Sequence, residues 1–198
     1  MKFSQIEIRD LLFAGLIISL AFGILLAGGL KGLTSGGLFL TIFVIAFLTA
    51  GIGFLLHELM HKYVAQKYGL MAEFRAFYPM LGLALLFSFF GFIIAAPGAV
   101  FIYGMVNKER NGKISVAGPW TNIVLALIFL AFALVLPNAT GALNYLLTYG
   151  LYINAFLALF NMIPAMPFDG AKVLAWNKVV YGVTVAVALG LVILSYIV

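Results

Sequence analysis

The sequence predicts an all-α polytopic membrane protein with about five spanning helices and a re-entrant hairpin, helical or β in character. Three observations carry that expectation. Of the 198 residues, 65% are hydrophobic and 9% charged, against about 25% charged in a soluble domain. The mean hydropathy is +1.19. The apolar residues also gather into runs of about 20, the helix length that crosses a hydrocarbon core of about 30 Å.

Five runs have spanning length: about 11–30, 38–60, 117–136, 142–163 and 177–198. The first follows a mixed-charge start, Lys2 to Asp10. A signal peptide is its rival, because Ala27, Gly28 and Gly29 are small, but the run exceeds the roughly 7–15 residues of a signal core. It reads as a retained helix. A sixth stretch, about 77–106, contains Pro79, several glycines and the pair Pro97-Gly98, a turn signal inside an otherwise apolar segment. It is either one kinked helix or a hairpin that enters and leaves on one side. No linker to a soluble domain and no repeat is visible, so residues 1–198 read as one transmembrane domain.

The net charge of +5 does not point to nucleic acid. Basic residues cluster between apolar runs, as in cytoplasmic loops, without a basic stripe interleaved with aromatics. The chain has no cysteine, which excludes disulfides and thiolate metal sites.

Both histidines of the chain lie in His57-Glu58-Leu59-Met60-His61, an H-E-x-x-H pattern. On a helix, residues four apart share a face, so both imidazoles can address one ion. Glu58, one residue on, can act on a water at that ion without being a ligand. The plain alternative is two interfacial histidines that happen to end a helix. Against it, no other histidine exists, and an acid lies where burial is costly. Zinc suits imidazole, and a catalytic zinc takes three protein ligands and one open position. With no third histidine and no cysteine, a carboxylate must complete the set. Glu7 and Asp10 belong to the N-terminal segment, and Glu73 and Glu109 to loop charges. Asp169 stands alone in NMIPAMPFDGAKV, where Pro164, Pro167 and Gly170 break the helix and free its backbone. A simple Asp-Gly turn between helices remains the rival reading.

HELMH, GPWTN at 118–122, and N-x-x-P-x-x-P-x-D-G from Asn161 to Gly170 occur in that order. Together they resemble the site-2 protease family of intramembrane zinc metalloproteases, in a minimal form without a PDZ domain. The resemblance implies a site-2 protease-like core in which His57, His61 and Asp169 bind one Zn2+ and Glu58 is the catalytic base. Asn161 resembles the family asparagine that holds the substrate backbone or the developing oxyanion. Asn122 falls in the GPxxN element and is grouped with substrate binding, helix packing being the alternative. The implied activity is hydrolysis of a peptide bond within a locally unwound transmembrane helix. The implied partners are a transmembrane protein substrate, already cut by an upstream protease, and membrane lipid; nucleic acid is not among them. Two other classes stay open. A membrane zinc transporter would need similar ligands but also a polar route through the other spans. A non-catalytic helix-binding relative would not need Glu58.

Shared ligation constrains topology. If Asp169 joins the ion held by His57 and His61, an even number of crossings separates them. Runs 117–136 and 142–163 supply two, so 77–106 crosses zero or two times and is too short for two helical spans. A re-entrant hairpin turning near Ala96-Pro97-Gly98 meets the condition. It also puts ten of the eleven Lys and Arg on one side, with Lys31 opposite. The active site then faces the cytoplasm of a multi-pass membrane protein.

Overall fold

The structure is a computed structural model that describes residues 1–35, 37–93 and 97–198. It is largely helical. In chain order it contains α1 (Gln5–Leu26), a 3-10 helix (Gly29–Ser35), α2 (Gly37–Ala46), a π-helical turn (Phe47–Gly51) and α3 (Ile52–Lys67). Then come β1 (Met71–Ala76), α4 (Tyr78–Ser88), β2 (Gly98–Tyr103), α5 (Lys108–Val135), α6 (Gly141–Asn161), α7 (Asp169–Trp176) and α8 (Lys178–Leu194). Among the described residues four helical stretches are long and apolar enough to cross a membrane: Gln5–Leu26, Leu38–Lys67, Lys108–Val135 and Gly141–Asn161. The chain is therefore a multi-pass membrane protein. The last apolar run forms α8 of 17 residues, about 26 Å at 1.5 Å per residue, a little short of the core thickness.

Within the segment expected to be a hairpin or a kinked helix, the described residues form a short helix followed by a strand. Pro79 lies in the first turn of α4, where a missing N–H costs nothing. The helix ends after 11 residues, and β2 follows, paired with β1 in a two-stranded sheet. The strand partner thus lies ahead of residue 77, and the fold is not purely α. Of the turn expected at Ala96-Pro97-Gly98, Ala96 lies outside the described residues. Pro97 accepts from the Phe77 N–H at 2.9 Å, and Gly98 opens β2. A Cβ on Gly98 would collide with the ring of Phe74 and the carbonyl of Arg75, so the close approach of the strands requires glycine there.

Contacts gather the residues into two compact units. One contains residues 2–55 and 73–101. In it α1 packs on α2, the π-helical turn and α4, meeting the first two through small residues: Gly23 faces the Phe43 backbone and Gly51 of the turn faces Ser19 Oγ. Small residues let helices approach closely where lipid supplies no hydrophobic drive between them. Two buried acids of α1 hold β1. Glu7 Oε1 accepts from the Phe74 N–H at 2.9 Å, and Asp10 Oδ2 accepts from the Ala76 N–H at 3.2 Å. Residues two apart in a strand point their N–H groups to the same edge, so these carboxylates cover one edge of β1. The other unit contains Met1 and residues 56–72 and 102–198. Its core joins Ile123 and Ala126 of α5, Leu151, Ala155 and Ala158 of α6, and Ala188 and Leu191 of α8. The candidate site lies wholly within this unit.

Candidate metal centre

His57 and His61 stand one helical turn apart on α3, their rings 4.6 Å apart and nearly perpendicular. Asp169 is the first residue of α7. Pro164 and Pro167 follow the end of α6, and neither can continue a helix. Gly170 lets the start of α7 press against that end: a Cβ there would meet the carbonyls of Met162 and Ile163. The broken segment thus delivers Asp169 to the imidazoles. Its Oδ2 lies 3.4 Å from His57 Nε2 and 3.0 Å from His61 Nε2. Zinc bonds of about 2.1 Å at tetrahedral angles place ligand atoms roughly 3.4 Å apart. The three donors are buried, with ligand atoms within 4.8 Å of one another. No other such group occurs among the described residues.

The atoms facing away from this point support a metal reading. His61 Nδ1 lies 2.8 Å from the Ile114 carbonyl, which can only accept, so His61 carries its proton on Nδ1. His57 Nδ1 lies 2.6 Å from Asn122 Oδ1. With both protons there, Nε2 of each ring and Oδ2 of Asp169 converge on one spot as a donor set suited to a cation. Outer hydrogen bonds of this kind fix the tautomer of metal-binding histidines. Asp169 Oδ1, the oxygen turned from the imidazoles, lies 3.4 Å from Lys172 Nζ. Space is reserved as well. A Cβ on Gly118 would collide with Nε2 of both His61 and His57. The donor set and the gap fit one zinc ion with an open fourth position.

Glu58 is buried beside the ligands on α3. Asn161 is half-buried and turns its amide N–H onto the Leu157 carbonyl, 2.9 Å away in its own helix. Asn122, grouped by sequence with substrate binding, is fully buried, with Oδ1 2.6 Å from His57 Nδ1 and Nδ2 donating to Asn154 Oδ1 at 3.0 Å. The remaining acids are engaged elsewhere: Glu7 and Asp10 on β1, Glu73 with Arg75, and Glu109 with Lys113. Sequence reasoning missed Gly118, the Ile114 carbonyl and Asn154. The available signal was the Gly-Pro pair within a long apolar helix, and an asparagine in another.

The chain is 43% identical over 185 residues to the candidate zinc metalloprotease MJ0611 of Methanocaldococcus jannaschii, which covers 92% of this chain and 90% of the relative. It is 28% identical over 130 residues to the zinc metalloprotease MJ0392 of the same organism, covering 66% of this chain and 33% of that one. A third relative, the candidate zinc metalloprotease YwhC of Bacillus subtilis, is 28% identical over 153 residues, with 64% and 66% covered. No family model and no solved structure matches the chain. Kinship that runs through nine-tenths of two chains is a family relationship, and this protein belongs to the zinc metalloproteases of the site-2 protease type.

Proposed function

We propose that the protein is an intramembrane zinc metalloendopeptidase that hydrolyses a peptide bond within a locally unwound transmembrane helix of another membrane protein. The convergence of His57, His61 and Asp169 inside a bundle of apolar helices carries this reading. Zinc, when bound, supplies Lewis acidity towards a carbonyl oxygen and makes water nucleophilic near neutral pH. The side chains do the rest. His57, His61 and Asp169 hold the ion through Nε2, Nε2 and Oδ2. Glu58 takes a proton from the attacking water on a carboxylate oxygen and returns it to the leaving nitrogen. Asn161, once released from the Leu157 carbonyl, offers its amide to the substrate backbone or to the oxyanion.

The architecture we infer has five crossings, with α8 as the fifth and residues 77–106 re-entering from one side. Two observations support it. The helix α4 has 11 residues, about 16 Å and roughly half the hydrocarbon thickness. The pairing of β1 with β2 starts and ends the excursion side by side. Ten of eleven basic residues then share a side with the ion, which faces the cytoplasm. The residues 1–198 act as one metalloprotease domain. A substrate must be extended to expose its carbonyls, and the outer edge of β2 offers backbone partners to an extended chain. Cleavage by an upstream protease would prepare such a substrate, and lipid covers exposed side chains such as Leu127, Ile128 and Phe132.

The decisive experiment uses purified protein in vesicles with a test transmembrane helix. Glu58→Gln should keep one equivalent of zinc and cut at least about 100-fold more slowly. Undiminished cleavage would remove Glu58 from the chemistry. Zinc flux across the vesicle with no cleavage by the unaltered chain would indicate a carrier.

A further inference from the structure

Asn154 sits mid-helix in α6, fully buried between Leu151 and Ala155 of the apolar core. An amide in such surroundings is costly unless its donors and acceptors are matched. Its Nδ2 donates to the Gly150 carbonyl at 2.9 Å. Its Oδ1 accepts from Asn122 Nδ2 at 3.0 Å, and Asn122 Oδ1 meets His57 Nδ1 at 2.6 Å.

The order of these bonds has a direction. A backbone carbonyl only accepts, so the Gly150 oxygen draws the NH2 of Asn154 and turns its oxygen towards Asn122. That oxygen draws the NH2 of Asn122 and turns the second amide oxygen towards His57. Facing an acceptor, His57 keeps its proton on Nδ1 and leaves Nε2 bare for the ion. The two ends of an amide have nearly the same shape. An Asn122 turned by 180° would present a donor to Nδ1 and move the proton to Nε2, where it blocks ligation. His61 needs no such relay, because its partner is the Ile114 backbone carbonyl.

We infer that Asn154 is a positioning residue of the zinc centre, acting through Asn122 to fix the tautomer of His57. The inference rests on the metal reading of His57, His61 and Asp169, and not on proteolysis. It extends to a different helix the rule that outer partners of metal-binding histidines set affinity by 10–100-fold.

The chain has two histidines, so 15N-histidine spectra contain two imidazoles, with His61 as internal reference. In metal-free Asn154→Leu protein, at a pH high enough that both rings are neutral, His57 should lose the Nδ1–H character it has in the unaltered chain while His61 keeps its own. Zinc affinity, read by chelator competition, should fall about tenfold. In an Asn122→Asp background the carboxylate accepts from His57 in either rotamer, and Asn154→Leu should then leave zinc affinity unchanged. Wild-type spectra and affinity in Asn154→Leu would overturn the proposal. So would an equal loss in both backgrounds, the mark of an amide that only supports packing. Should Asn154→Leu fail to fold, Asn154→Ser, whose shorter side chain draws its oxygen back from Asn122, carries the same comparison. An unaltered chain that takes up no zinc would overturn the metal reading and this inference together, whereas loss of cleavage with these zinc results intact would count against proteolysis alone.

Discussion

At Gly118 a side chain would fall where the ion belongs, so an absent methyl group is part of the site. Gly118→Ala should reduce bound zinc by at least about tenfold without loss of helix, since alanine favours helix more than glycine does. Metal analysis beside circular dichroism checks both halves. The neighbouring Pro119 removes one N–H, and its ring crowds the carbonyl of Ser115, in the turn where the Ile114 carbonyl serves His61. With Asn122 against His57, GPWTN reads as the back wall of the centre. The two histidines were legible in the sequence because residues four apart share a helical face; Asp169, a lone acid between helix breakers, had a simple turn as its rival and was assigned as a ligand through the family resemblance. The back wall was not legible. Asn122 and Asn154 lie 32 residues apart, and they meet through helix packing, which leaves no period in the sequence. An asparagine within an apolar helix announces a partner but not its address.

Among the elements, the long helices were legible from run length; β structure was one of two readings for residues 77–106, and the partner strand at 71–76 was not legible. β1 reads MAEFRA, with two charges, and looks like a loop; β2 reads GAVFIY, and a short apolar run fits helix or strand equally. Tertiary contacts decide the matter. The strand at 71–76 forms because Glu7 and Asp10, which by sequence belong only to a polar N-terminal segment, supply acceptors along its edge. Glu7→Ala would strand the Phe74 N–H inside the unit, at a cost of about 1–3 kcal/mol. Faster hydrogen exchange at Phe74, together with a lowered melting temperature, is the expected result. A similar lesson applies to α8. Its apolar run continues to residue 198, but the regular helix ends at Leu194 and gives way to turns from Ser195.

For the whole molecule, composition alone conveyed the membrane environment, because 9% charge cannot cover the surface of a soluble bundle. Orientation is a separate matter, carried by a few lysines and arginines. The chain contains no cysteine, so single reporters can be introduced without background. Cysteines replacing Lys2, Arg110 and Lys178 should react with an impermeant maleimide from the cytoplasmic face, and one replacing Lys31 from the opposite face. Arg110 and Lys178 labelling together with Lys31 would mean that residues 77–106 cross once. That result would separate Asp169 from the histidines by an odd number of crossings.

With carboxylates on one border of β1, an extended substrate that adds to the sheet, as proposed, does so beside β2. A single open border imposes a rhythm on whatever joins it, because only every second residue of an incoming segment turns its N–H inward. Proline has no N–H to offer. Scanned through a susceptible sequence, it should abolish cutting at alternate positions and be accepted at those between, a sawtooth readable by mass spectrometry. A flat profile would mean that the enzyme senses the slackness of the unwound segment and not its backbone.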